Sequence, residues 1–222
     1  IFGSRGLGDV YKRQVVDITE RVKAKEKIDQ LASKLSRYLS PQVYQSIFSG
    51  KKNVKIEAYR KKLTVFFSDI KGFTEITDRL EPEVLSTLLN SYLNEMSKIA
   101  LKYGGTIDKF VGDAILIFFG DPETKGDKED AYSCVLMALE MQERMHHLKN
   151  LWEGQGITNP LEIRIGINTG YCNVGNFGSE NRLDYTIIGG EVNLASRLES
   201  NAMTGQILIS QETYALIKKD IV

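Results

Sequence analysis

The sequence predicts an α+β fold, a ferredoxin-like split βαβ sandwich preceded by an N-terminal helical linker. Three observations carry this expectation. From Leu63 onward, short apolar runs alternate with amphipathic stretches at helical spacing, in the order β-α-β-β-α-β. Glycine-bearing turns punctuate that pattern, including one compact hairpin. Ahead of Leu63 the chain is charged, with a sparse apolar period of 3.5 residues. At 222 residues, 42% hydrophobic and 26% charged, the chain has the make-up of a domain that buries a core, not of a disordered one.

Taken in order, residues 1–14 (IFGSRGLGDVYKRQ) show neither helical nor strand period. They are read as a non-native, vector- or sequencing-derived segment, the alternative being a loop from an upstream domain. Residues 15–50 are read as a linker. Within them Ala24, Ile28, Leu31, Leu35 and Tyr38 follow at spacings of 4, 3, 4 and 3, the seam of a two-stranded coiled coil or of a helix packed on its own domain. Ser40-Pro41 ends that helix or restarts it. A basic connector, Lys51 to Lys62, leads into the folded part, residues 51–222.

There, Leu63–Phe67 reads as a buried strand. Thr74–Tyr103 is helical, broken near Glu81-Pro82 and closed by Gly104-Gly105. Thr106–Phe110 and Ala114–Phe119 form a hairpin around Val111-Gly112-Asp113. Asp127–Leu151 is helical and Leu161–Thr169 a strand. A Gly- and Asn-rich excursion follows, then a short strand at Tyr185–Ile188, a helix at Val192–Ala202, a strand at Ile207–Ile209 and a helix at Gln211–Lys219. The helices are expected on one face of a mostly antiparallel sheet.

Several classes are disfavoured at the outset. With 29 basic and 29 acidic residues the formal net charge is zero, so no bulk field draws nucleic acid or anionic lipid, and no nucleic-acid partner is expected. Cys134 and Cys172 are too few for a disulfide framework and suit a reducing compartment. No apolar run reaches the roughly 20 residues of a membrane span. A cytoplasmic location is expected, with a membrane anchor elsewhere in the parent protein left open. His146 and His147 have no partner at ligand spacing and read as surface residues, and Trp152 as a helix-end anchor.

Two carboxylates carry the chemistry. Asp69 follows the Leu63–Phe67 strand and precedes Ile70-Lys71-Gly72-Phe73-Thr74, which opens a helix, where a carboxylate beside backbone N–H groups can hold a divalent cation against a phosphate. Taken alone, Asp69 reads equally well as a helix cap, and Asp113 as ordinary hairpin-turn chemistry. Their pairing favours the metal reading. In a split βαβ fold the hairpin joins an edge strand to a central one, so its tip falls near the end of the first strand. Two carboxylates meeting there suit Mg²⁺, with nucleotide phosphates completing its sphere.

The segments FFSDIKGFT (66–74), DKFVGDAIL (108–116), RIGINTGYCNVGNFGS (164–179) and YTIIGGEVNLASRLES (185–200) resemble the class III nucleotide cyclase catalytic domain, in the family's order and spacing. The resemblance covers about Leu63 to Val222 and implies the nucleotide cyclase fold. It further implies two Mg²⁺ (or Mn²⁺) ions on Asp69, Asp113 and the main chain of Ile70, with Ile70, Lys71, Gly72, Phe73 and Thr74 cradling the triphosphate. Lys109 and Thr186 would read the base, a pairing that resembles bacterial-type adenylate cyclases and favours ATP. Asn193 would orient the ribose and Arg197 would neutralise charge on the α-phosphate. Gly189-Gly190-Glu191 departs from the more frequent Gly-Asp of that motif. The resemblance also implies a homodimer whose active sites lie at the interface, with the aspartates from one chain and Lys109, Thr186, Asn193 and Arg197 from the other.

Two alternatives stay open: a guanylate cyclase, and a catalytically weak regulatory or dimerisation module of the same family. A diguanylate cyclase is disfavoured, because its Gly-Gly-Asp/Glu-Glu-Phe hairpin is replaced by Phe-Val-Gly-Asp. Val15–Arg21 (VVDITER) resembles the exit strand of a PAS-type sensor, implying an upstream sensor domain in the native chain. Relatives continue past the last helix with strands bearing a triphosphate-binding lysine, so residues 1–222 are expected to fold but turn over poorly.

Overall fold

The structure is a computed structural model that describes residues 20–34, 36, 39–48, 56–154, 157, 161–179 and 181–220. The segment 1–14, most of the VVDITER motif, Leu35 and Tyr38 of the heptad seam, and residues 51–55 of the basic connector lie outside the described residues.

Residues 20–34 form helix α1, and the seam residues Ile28 and Leu31 are 63% and 52% exposed. Helix α2 (Pro41–Phe48) restarts after Ser40, whose hydroxyl oxygen accepts from the Val43 N–H at 3.3 Å. It is tied to the folded part where Gln42 Nε2 donates to the Gly105 carbonyl at 2.7 Å and where Val43 is buried.

Six strands follow: β1 (Ala58–Ile70), β2 (Thr106–Val111), β3 (Ala114–Phe119), β4 (Ile163–Ser179), β5 (Arg182–Ile188) and β6 (Ile207–Ile209). They make one sheet in the order β2-β3-β1-β4-β5, with β6 parallel to the first half of β4. The other pairings are antiparallel. The edge position of β2, with β3 against β1, is the arrangement expected of the hairpin.

Between the strands run α3 (Phe73–Thr77), α4 (Pro82–Tyr103), α5 (Asp127–Gly154), α6 (Gly190–Asn201) and α7 (Gln211–Ile217). The break near Glu81-Pro82 separates α3 from α4, with Pro82 where its missing N–H costs nothing. Gly104, at φ 86°, ends α4 in the left-handed region.

Strand alternation divides the interior in two. Phe66 and Ile70 of β1, Ile115, Ile117 and Phe119 of β3, and Ile163, Ile165 and Ile167 of β4 point to the larger cluster, closed by α4, α5 and α7. There α5 contributes Cys134, Met137, Met141, Met145 and Trp152, and Trp152, buried two residues before the helix end, anchors it there as expected. Leu63 and Val65, Leu116 and Phe118, and Cys172 and Val174 face the other way, against Ala195 of α6. Helix α6 therefore lies on the face opposite the long helices, a departure from the expectation of helices on one face.

Three strands are longer than the sequence predicts by three residues or more, among them β5, which begins at Arg182 and not at Tyr185. β1 begins at Ala58, not Leu63, because its first half is polar and pairs with the glycine-rich second half of β4. Tyr59 and Lys61 there both bond the buried Asp121 carboxylate, as does Tyr185 of β5. β4 continues through the expected Gly/Asn excursion to Ser179, with Gly170, Gly175 and Gly178 inside the strand. A Cβ at Gly175 would collide with the Glu57 carbonyl, so glycine marks close backbone approach here, not a loop.

Candidate active site

Asp69 lies inside β1, not after it, and shares the α6-facing side of that strand with Leu63 and Val65. β1 ends one residue later at Ile70, and Gly72, at φ 68°, turns the chain into α3. The Asp113 turn folds back onto this point: Asp113 Oδ2 accepts from the Ile70 N–H at 3.0 Å. Burial, together with the Asp69 carboxyl in hydrogen-bonding contact, raises Asp113 from the ordinary aspartate range to about 6. The two carboxylates thus converge as expected and repel one another.

Such a pair fits hard divalent cations, whose positive charge relieves the repulsion and whose preferred ligands are oxygens. Ile70 is buried, so only its main-chain carbonyl is available to a cation, and its N–H is already committed to Asp113. No cluster of three or more His, Cys, Asp or Glu side chains suited to a metal occurs among the described residues, which leaves the remaining ligand positions to phosphate or water. Lys71, Gly72 and Thr74 are exposed beside the pair and Phe73 half-buried, in the turn and first residues of α3.

Arg164, which the sequence reading quoted in a motif but gave no role, is part of this centre. It stands directly opposite Asp69 in the β1–β4 ladder, and its Nη2 lies 3.1 Å from Asp69 Oδ2 and 3.0 Å from the buried Glu199 of α6. Burial pushes the Glu199 carboxyl up, and the Arg164 guanidinium pulls it back. One arginine therefore ties the end of β1 to α6. Only the ladder register shows this, since Arg164 and Asp69 are far apart in sequence.

Asn193 and Arg197 occupy the exposed side of α6, one turn apart. The helix is seated on β4 by Asn168, whose Nδ2 donates to the Glu191 carbonyl at 3.0 Å and to Glu191 Oε2 at 2.7 Å. Glu191, in the Gly189-Gly190-Glu191 stretch that departs from Gly-Asp, thus anchors the helix start.

Lys109 and Thr186 form a second group. Lys109 and Asp113, four residues apart, do not share a strand face, because β2 stops at Val111 and Asp113 sits in the turn. Lys109 instead lies 3.3 Å from Asp108, and Asp108 accepts from the Thr186 hydroxyl at 2.6 Å. A hollow of about 280 Å³ opens beside Asp108 and Lys109, bordered by Leu39, Val43 and Tyr185. No described contact joins this group, or Asn193 and Arg197, to the Asp69–Asp113 pair.

The adenylate and guanylate cyclase catalytic domain matches residues 54–221. A terminal-differentiation-specific adenylate cyclase of Dictyostelium discoideum is 35% identical over 89% of this chain, which spans only 9% of that protein. Among solved structures, the adenylyl cyclase CyaB from P. aeruginosa is 66% identical with a TM-score of 0.74, covering 75% of this chain and 85% of that one. The guanylyl cyclase Cya2 is 40% identical with a TM-score of 0.69, covering 72% and 80%. With its convergent aspartates and its hairpin-edged sheet, the chain belongs to the adenylate and guanylate cyclase catalytic domain family.

Proposed function

We propose that the chain is the catalytic domain of an adenylate cyclase, which converts ATP to 3′,5′-cyclic AMP and pyrophosphate. The ribose 3′-oxygen attacks the α-phosphorus, the bond from that phosphorus to the bridging oxygen breaks, pyrophosphate leaves and the hydroxyl proton passes to water. The observation that carries this reading is the convergence of Asp69 and Asp113 at the β1 end. The choice of ATP is supported by 66% identity to an adenylyl cyclase over 85% of its chain.

Asp69, Asp113 and the Ile70 carbonyl hold two Mg²⁺ or Mn²⁺ ions. When bound, these supply the positive charge that activates the 3′-hydroxyl and offsets the triphosphate. The turn at Gly72, Phe73 and Thr74 presents main-chain N–H groups to the phosphates, the Lys71 N–H being taken by the Glu162 carbonyl at 2.9 Å. Lys109 donates to adenine N1, Thr186 faces the exocyclic amine, Asn193 orients the ribose, and Arg197 stabilises charge developing on the α-phosphate. Lys109, Thr186, Asn193 and Arg197 act on nucleotide held by the aspartates of a second copy, so the working unit is a homodimer. Supporting this are the separation of the two groups within one chain and the exposed Ile28 and Leu31 seam of α1. A PAS-type sensor upstream regulates the pair through that seam.

Turnover of ATP and GTP by the full-length protein with Mg²⁺ or Mn²⁺ tests the reading. Asp69→Ala and Asp113→Ala are each expected to lower ATP turnover by a factor on the order of 10² or more. Activity surviving in either variant overturns the metal assignment. GTP used in preference to ATP would make the chain a guanylate cyclase. Lys109→Glu combined with Thr186→Cys is expected to move preference towards GTP.

A further inference from the structure

Lys109 and Thr186 sit on β2 and β5, at the two ends of the β2-β3-β1-β4-β5 path, yet both touch one side chain, Asp108. β2 is irregular at this point: its register against β3 shifts between Ile107 and Lys109, leaving Asp108 out of the ladder. Such a shift re-aims a side chain. Asp108 is turned inward, its side chain 1% exposed, while that of its neighbour Lys109 is 43% exposed. Its Oδ2 accepts from Thr186 Oγ1 at 2.6 Å and from the Ile187 N–H at 3.2 Å. Its Oδ1 takes no hydrogen bond and lies 3.3 Å from Lys109 Nζ.

A carboxylate this deeply buried is costly unless donors and a counter-charge surround it. Burial pushes the Asp108 carboxyl up; Thr186, Lys109 and the Ile187 N–H pull it back. With the Ile187 N–H donating to Oδ2 and the Lys109 ammonium facing Oδ1, the geometry makes Asp108 an acceptor on both oxygens. The proton between Asp108 and Thr186 therefore belongs to Thr186, and what that hydroxyl offers a ligand is a lone pair.

We infer that Asp108 is a positioning residue that sets the hydrogen-bond polarity of the base pocket and so its preference for ATP over GTP. By holding the Thr186 proton and drawing in the Lys109 ammonium, it leaves the pocket with one acceptor and one donor. Adenine presents the complement, an N6 amine that donates and an N1 that accepts. Guanine presents the reverse, an O6 that accepts and an N1–H that donates. A site whose polar groups face the wrong partners rejects that ligand strongly, because buried groups are left unpaired. This rests on the proposed reading of Lys109 and Thr186 as base contacts, and sequence inspection alone gave Asp108 no role.

The experiment measures kcat/KM for ATP and for GTP on the same preparations of full-length protein. The ratio cancels any difference in folded fraction between variants. Asp108→Asn removes the charge and frees the Thr186 hydroxyl to point either way, and is expected to lower the ATP/GTP ratio about tenfold. In a Thr186→Val background, Asp108→Asn should change the ratio far less, since the hydroxyl it controls is gone. Asp108→Ser, smaller and without a carboxylate, carries the same expectation should the asparagine variant not fold. If Asp108 variants depress ATP and GTP equally while Thr186→Val shifts the ratio, Asp108 is merely structural and the inference falls. If neither Lys109→Ala nor Thr186→Val moves the ratio, the base-pocket reading itself has failed.

Discussion

Asp113 is held at about 6 by burial and by Asp69, above the ordinary aspartate value of 3.8. Between those two values the folded chain keeps a proton that the unfolded chain has released. Stability contributed by this group is therefore full at low pH, falls as pH rises from about 4 to 6 and stays low above that. The metal-free protein should lose thermal stability relative to Asp113→Asn across that window, the asparagine being neutral throughout. Thermal midpoints of the two proteins at several pH values check this, and a constant difference contradicts it. For the same reason Mg²⁺ and Mn²⁺ should bind more weakly below about pH 6, where the proton competes for the carboxylate. Asp69 and Asp113 were legible in the sequence because they sit in recognisable segments at the ends of predictable elements. Arg164 and Asp108 were not. One owes its place to ladder register across β1 and β4 and the other to an irregularity in β2, and neither is encoded in spacing along a single strand.

Helix α6 carries Asn193 and Arg197. It lies so close to β4 that a Cβ on Gly166 would collide with the main chain at Ala195 and Glu199. Backbone cannot rotate away as a side chain can, so Gly166→Ala must push the helix off the strand and loosen the Glu199 grip on Arg164. A Cβ on Gly170 would instead meet the Glu191 side chain at 2.6 Å, which can yield by giving up its bond to Asn168. Gly166→Ala is thus expected to cost about 1–3 kcal/mol, and Gly170→Ala less. Denaturant midpoints give the order, and equal costs would mean that α6 is not seated as tightly as described. These glycines also explain what the sequence concealed at this scale. The stop of α4, the α3–α4 break and the hairpin follow from local rules, and are legible in Gly104, Pro82 and Gly112. The second half of β4 looks like loop in the sequence because glycine normally weakens a strand, and its reason for being there, a neighbouring backbone, is a tertiary fact.

At the scale of the whole molecule, the chain carries two sets of residues that no described contact joins: the carboxylates at the β1 end, and Lys109, Thr186, Asn193 and Arg197, proposed to act on the nucleotide. If two copies supply one group each to a shared site, damage to one group can be complemented by a chain damaged only in the other. Asp69→Ala and Arg197→Ala should each be nearly inactive alone. Mixed and allowed to exchange subunits, they form dimers in which one site carries both lesions and the other carries none. Random assortment at equal concentrations makes half of the dimers mixed, so the mixture should recover about a quarter of wild-type activity. Asp69→Ala mixed with Asp113→Ala is the discriminating control, because both lesions fall in the same group and every site in a mixed dimer stays broken. Were each chain to hold a complete site, neither mixture would recover activity. Recovery in the first mixture and not the second is the outcome that a shared site demands, and it assigns Arg197 and the aspartates to opposite chains without reference to any bound nucleotide.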